Sequence, residues 1–275
     1  MRNAKRRSSR VLDRNQRTRF SPAQLCYALC QSSTGLIAAR AAARTLRHLG
    51  WQRGFFLPFD ALSLDHKAVA GLMRLWSRIH WSAGDGMMPP EQLLAVYRLG
   101  VTWPGDGDTV ELGAWVGLTT CYLAMACDVR GTGKVHAVDT FQGAKEAGTT
   151  YRSVQNYAGN TLSAFDERIV CAGLDHRVER IISLTSDAAG RYRGAPIRFL
   201  LIDADHSYEG VRQDFNLWSR HVACGGLIVF HDYLMSDVAR FVDQEVGVDP
   251  CYAASPGHVV PNVFAVTKLR GEPTE

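Results

Sequence analysis

The chain contains no run of about eighteen apolar residues, so nothing in it reads as a membrane-spanning helix. Its basic start is not followed by the apolar core and cleavage site of a secretory signal, and a cytoplasmic protein is expected. The seven cysteines, at positions 26, 30, 121, 127, 171, 224 and 251, are odd in number and scattered, with no CxxC pair. That excludes a disulfide framework and a zinc knuckle and leaves reduced, mostly buried thiols. Also missing is GxGxxG after any apolar run, the glycine spacing with which a dinucleotide fold brings backbone against a pyrophosphate. What remains is a 275-residue chain, 46% hydrophobic and 21% charged, long enough to bury one sizeable core.

Charge is unevenly spread. Residues 1–53 hold twelve Lys/Arg against Asp13 alone, while the whole chain carries only a formal +4, so the remainder is acidic. Residues 1–20 have too few apolar groups to offset ordering entropy and read as a basic tail, disordered in isolation. Residues 21–84 read as a helical extension: Ser21 and Pro22 give a helix start, an Ala/Arg-rich stretch ends at Gly50, and Val69, Leu72, Met73, Trp76 and Ile79 form an amphipathic stripe. This basic segment can serve an anionic membrane surface, nucleic acid or an acidic partner, or be a solvated tail with a helix packed on the main domain. It also imitates an organelle transit peptide. "SAGDGMMPP" then breaks the chain; Gly84, Gly86, Met87 and Met88 suit either a flap or a plain connection, and a helix begins at Pro89. Residues 85–275 form the third segment.

From residue 109 strands and helices alternate. "TVELGAWVG", "KVHAVDTF", "VERIISLTSDAA", "IRFLLIDADH" and "GGLIVFHDY" are nearly continuous apolar runs ending in Glu111, Asp139, Ser186 with Asp187, Asp203 and Asp232. Such runs predict an α/β fold with a doubly wound, mostly parallel sheet. Ligands of these sheets bind beyond the carboxyl ends of the strands, so the terminal acids are expected around one cleft. The first turn reads ExGxxxG, Glu111, Gly113, Ala114, Trp115 and Gly117, with Trp115 where a phosphate-cradling glycine would stand. A ligand with a nucleoside but no pyrophosphate fits better, with Asp139 accepting from ribose hydroxyls and Gly113 and Gly117 allowing close backbone approach.

ExGxxxG, the acid ending the second strand, "SD" after the third, "IDADHSYEGV" and "GGLIVFHDY" together resemble the class I S-adenosylmethionine-dependent methyltransferases, and most closely methyltransferase family 24, similar to sugar and antibiotic-tailoring O-methyltransferases and cephalosporin-hydroxylase-like proteins. The resemblance, over about residues 85–268, implies a seven-stranded Rossmann-like methyltransferase sheet with "NVFAVTKL" as its antiparallel seventh strand. It implies S-adenosyl-L-methionine as cofactor, held by Glu111, Gly113, Ala114, Gly117, Asp139, Ser186, Asp187 and Asp203. Asp187 reads equally as a helix N-cap, and Asp205 as a cap of "SYEGVRQDFNLW".

Methyl transfer requires the protein to align an acceptor and remove its proton. His206 is the candidate base, with His231 as a second. Compared with catechol-type relatives, Asp203, His231 and Asp232 fall on metal-ligand positions, where Mg2+ or Mn2+ would sit; a histidine at 231 departs from the carboxylate usual there. The polar segment 142–165, with Lys145, Arg152, Gln155, Asn156 and Tyr157, suits a lid over a polyhydroxylated small-molecule acceptor such as a sugar. Two alternatives stay open: a non-catalytic nucleotide-binding protein of the same fold, and a nucleic-acid methyltransferase guided by the basic segment, although the Asn-Pro-Pro-Tyr/Phe-like signature of base amino-methylation is missing. A homo-oligomer is also left open.

Overall fold

The computed structural model describes residues 64–79, 88–143, 157 and 159–270. The helix start at Ser21, the basic segment 1–53, Gly84, Gly86, Met87, Lys145, Arg152, Gln155 and Asn156 lie outside these residues.

Seven strands form one sheet in the order β3-β2-β1-β4-β5-β7-β6. They are β1 (Asp108–Leu112), β2 (Val135–Asp139), β3 (Val178–Ile182), β4 (Ile197–Ile202), β5 (Val222–His231), β6 (Tyr252–Val260) and β7 (Val263–Lys268). The first five run parallel, and β7 pairs antiparallel with both β5 and β6. The expected antiparallel strand at residues 263–268 is present, but it is not the sheet's edge. A strand not foreseen from the sequence, β6, covers it. Strand order reverses between β1 and β4, which opens the crevice characteristic of doubly wound sheets there.

The helices are α1 (His66–Arg78), α2 (Pro90–Thr102), α3 (Leu118–Arg130), α4 (Leu162–Ala172), α5 (Thr185–Arg191), α6 (Tyr208–Trp218) and α7 (Ser236–Phe241), the last continuing through a π turn at Val242–Val246. Side chains alternate across a strand, so each continuous apolar run feeds two cores. Phe199, Leu201, Leu227 and Val229 face α1 to α4. Leu200, Ile202, Ile228 and Phe230 face α5 to α7. The stripe read in α1 is buried in the first of these cores, and each such side chain contributes roughly 1.5–3 kcal/mol. Two glycines set how closely these helices approach: a Cβ at Gly71 would lie 2.3 Å from Val129 of α3, and one at Gly100 of α2 would lie 2.9 Å from the Cβ of Ala126.

Two boundaries differ from expectation. Strand β3 stops at Ile182, and Ser186 and Asp187 stand inside the first turn of α5. Leu184, not Asp187, occupies the N-cap position there. The apolar "IISL" reads as continuous strand, but the edge of the sheet ends before it does, and Ile182 and Leu184 are exposed.

Candidate active site

At the end of β1 the chain enters the turn 113–117 that leads into α3. Gly113 (φ +88°), Trp115 (φ +50°) and Gly117 (φ +77°) all adopt left-handed backbone. The protein's own packing already requires both glycines. A Cβ at Gly113 would meet the Asp203 carbonyl oxygen at 2.0 Å, and one at Gly117 would meet the Phe165 ring at 2.8 Å. Helix α3 starts from Gly117 without a side-chain cap, so its first backbone N–H groups lack that partner.

Asp139 ends β2 beside this turn, because the register pairs Leu112 with Val138. Its Oδ2 accepts from the Trp115 N–H at 2.7 Å and its Oδ1 from the Phe141 N–H at 2.7 Å. Burial raises its carboxyl above the ordinary range while these amides pull it down. The Ala114 and Thr140 amides add to this pull. Trp115 meets Tyr157 edge to face, with centroids 6.0 Å apart.

Glu111 does not face the cleft. One residue before the end of β1, it points to the α3 side of the sheet and is completely buried. Thr120 of α3 donates to its Oε2, and Oε1 has no partner. Burial pushes this carboxyl up to about 8, against the Thr120 hydroxyl and with help from Asp203 and Asp139. Ala114 is also buried. On the far side of β2, Ser186 is half-buried and Asp187 exposed at the start of α5. A groove of about 370 Å³ runs along the open edge of β3, lined by His136, Glu179, Arg191 and Tyr192 among others, and contains none of the acids at the ends of β4 and β5.

The second half of the site gathers at the ends of β4 and β5. Their register pairs Ile202 with Phe230, so the next residues, Asp203 and His231, emerge side by side. His231 Nδ1 lies 2.8 Å from Asp203 Oδ1 and 3.3 Å from Asp232 Oδ2. Its Nε2 lies 2.7 Å from Oε1 of Gln92, near the start of α2. Both neighbours are acceptors, so both ring nitrogens carry hydrogen. Burial alone would pull His231 down, but the charges of Asp203 and Asp232 and their hydrogen bonds outweigh it and carry the ring up to about 10.

His206 reaches back from the loop after β4. Asp205 Oδ1 accepts from the Ser207 N–H, and Ser207 Oγ caps α6 by accepting from the Gly210 N–H, so the residue expected as a cap instead shapes the turn. Gly210 is needed there, since a Cβ would lie 2.2 Å from Asp205 Cγ. His206 Nε2 is buried 3.1 Å from Asp232 Oδ2 and 3.5 Å from Asp203 Oδ1, with a well-directed hydrogen bond to neither. Asp203 raises His206 most, burial opposes it, and Asp232 adds to the rise. Asp232 has φ +54° and receives Asn262 Nδ2–H on Oδ1 at 2.7 Å. Burial acts upward on this carboxyl, but His231, Asn262 and His206 hold it down at about 2.

Asp203, His206 and Asp232 each offer an atom within 4.8 Å of the others, the one grouping among the described residues with metal-ligand spacing. His231, expected on a ligand position, is outside that grouping, and its two nitrogens face Asp203 and Gln92. Gln92 and Asn262 were missed. "PN" at 261–262 marks a turn, but nothing in "PPEQLL" singles out Gln92.

Residues 110–233 match a family model described as Methyltransferase domain, the model of methyltransferase family 24. Among curated proteins the chain is similar to an uncharacterized protein of Acanthamoeba polyphaga mimivirus, 33% identical over 84 residues. That match covers 24% of this chain and 38% of the relative, so the chain spans well under two thirds of its length. Among solved structures the chain is similar to the O-methyltransferase NovP (TM-score 0.56, 17% identity, 85% of this chain and 99% of that one). It is also similar to a methyltransferase from Geobacter sulfurreducens (TM-score 0.51, 14% identity, 83% and 96%). These likenesses establish a Rossmann-like methyltransferase fold. No described helix is long and apolar enough to cross a membrane.

Proposed function

We propose that this chain, an S-adenosylmethionine-dependent methyltransferase by domain and fold, methylates a hydroxyl of a small polar acceptor, with His206 as the base that takes the proton. The observation carrying this reading is the buried His206 Nε2, 3.1 Å from Asp232 Oδ2 and 3.5 Å from Asp203 Oδ1. The cofactor would supply the electrophilic methyl group. The residues on the β1–β2 side fit it chemically: uncapped amides at the start of α3 suit a carboxylate, and the Asp139 carboxylate at the end of β2 suits ribose hydroxyls. Gly113, Ala114 and Gly117 would shape the turn around it, and Ser186 and Asp187, in the first turn of α5, would approach its adenine. Glu111 acts from beneath the turn, through α3, rather than by contact.

Two carboxylates around His206 stabilise its protonated form, so the ring accepts the acceptor's proton and then holds it as a cation between Asp203 and Asp232. His231, with hydrogen on both nitrogens, orients Asp203 and takes no part as a base. The O-methyl assignment is supported by this base near the switch point and by the similarity to the O-methyltransferase NovP. A sugar-like acceptor rests on the polar composition of residues 142–165.

A second reading is favoured by the spacing of Asp203, His206 and Asp232: a divalent cation held by these three would bind the acceptor oxygen and lower its pKa. One imidazole and two carboxylates suit Mn2+ better than Mg2+. Calorimetric titration with S-adenosylhomocysteine, with and without Mn2+ or Mg2+, comes first, followed by transfer of a labelled methyl group to a panel of polyhydroxylated small molecules. Micromolar binding with transfer that survives EDTA supports the His206 base; transfer abolished by EDTA and restored by Mn2+ supports the cation. Failure to bind S-adenosylhomocysteine would sink both.

A further inference from the structure

The two side chains that complete the acid–histidine centre come from outside the matched domain segment 110–233. Gln92 lies near the start of α2 and is buried. Its Nε2 donates to the Pro261 carbonyl at 2.9 Å, and since that oxygen can only accept, the orientation of the carboxamide is fixed and Oε1 is the atom turned to His231. Asn262, the next residue after Pro261, has φ +70° and holds the opposite side. Its Nδ2 donates to Asp232 Oδ1 at 2.7 Å, its Oδ1 accepts from the Leu234 N–H at 2.9 Å, and its carbonyl accepts from the Tyr233 N–H. One tight turn between β6 and β7 therefore braces both arms of the centre.

We propose that Gln92 and Asn262 are positioning residues that act as a paired carboxamide clamp: Gln92 sets His231 and through it Asp203, Asn262 sets Asp232, and together they aim the two carboxylates at His206. The inference rests on the function proposed above. The hydrogen bond of Gln92 reaches His231 and that of Asn262 reaches Asp232, so each works through another side chain. The β6–β7 turn thereby becomes part of the catalytic apparatus, although it contributes no reacting atom. A purely structural role would predict only a change in stability.

The test uses the full chain, labelled with 15N at histidine, as wild type, Gln92→Leu, Gln92→Glu and Asn262→Ala. At fixed pH the wild type should show two slowly exchanging ring N–H protons on His231. Gln92→Leu should lose the Nε2–H signal and shift the His206 ring resonances, with S-adenosylhomocysteine affinity kept within about twofold. Turnover of whichever acceptor the screen identifies should fall about 10–100-fold, in kcat rather than KM, as second-layer substitutions commonly do. Gln92→Glu retains an acceptor toward His231 and should recover the Nε2–H signal. Should Gln92→Leu fail to fold, Asn262→Ala decides, because it must shift the His206 signals from the Asp232 side. Unchanged His206 signals and kcat in folded Gln92→Leu or Asn262→Ala would overturn the clamp. A wild type that binds no S-adenosylhomocysteine refutes the cofactor reading instead, and the ring signals then judge the clamp by themselves.

Discussion

The two halves of the cleft are built differently. At the ends of β1 and β2 the carboxylate of Asp139 is held by backbone N–H groups of Trp115 and Phe141, both close to it in the folded turn. At the ends of β4 and β5 the acids and histidines are held by side chains from distant parts of the chain, with Gln92 139 residues from His231. Backbone anchoring does not depend on distant side chains, which would suit the cofactor role proposed for this half. Side-chain anchoring lets the chemistry vary, because exchanging one residue, such as a carboxylate for His231, rebuilds the network without disturbing the sheet.

The largest test of this contrast is His206→Gln. It should lower methyl transfer by about 10²–10⁴-fold while leaving S-adenosylhomocysteine affinity within twofold. In the wild type, turnover should rise with pH through a midpoint above the ordinary histidine value, because Asp203 and Asp232 favour the charged ring and only the neutral ring accepts a proton. Rate profiles of both proteins check this, and full turnover by His206→Gln would move the chemistry elsewhere. Gly113→Ala should join the two halves in one failure. A Cβ at φ +88° and 2.0 Å from the Asp203 carbonyl should cost about 2–4 kcal/mol in urea unfolding.

Asp139→Ala tests the first half alone. Loss of its hydrogen bonds from the backbone amides should cost about 1–3 kcal/mol and weaken S-adenosylhomocysteine binding by calorimetry, with His206 ring signals unchanged. The smallest effect belongs to Glu111. Its folded carboxyl titrates at about 8 against an ordinary 4.5, so the folded state holds a proton that the unfolded chain releases. The associated stability is complete below the ordinary value and is lost as pH rises through about 8. Between pH 6 and 7 the change should be at most about 1.4 kcal/mol in urea unfolding, and Glu111→Gln should flatten it.

Much of this arrangement was legible in the sequence. Apolar runs ending in Asp139, Asp203 and Asp232 marked strands whose acids belong to one end of the sheet, and the parallel order of the first five follows from their alternation with helices. The helical stripe from Val69 to Ile79 likewise announced its burial. Where the reading failed, the cause was local ambiguity: "IISL" has the same pattern inside a sheet and running off its edge, and Glu111 looks like a strand-end acid until alternation across the sheet turns it inward.

The sequence by itself determined the α/β alternation, the methyltransferase resemblance and the identity of the acids and histidines, because these depend on short-range pattern and residue chemistry. Only the tertiary structure decided that both nitrogens of His231 face acceptors. That depends on Gln92 and Asn262 meeting His231 and Asp232 across α2, β5 and the β6–β7 turn, and hydrogen bonding between segments so far apart leaves no periodic trace in the chain.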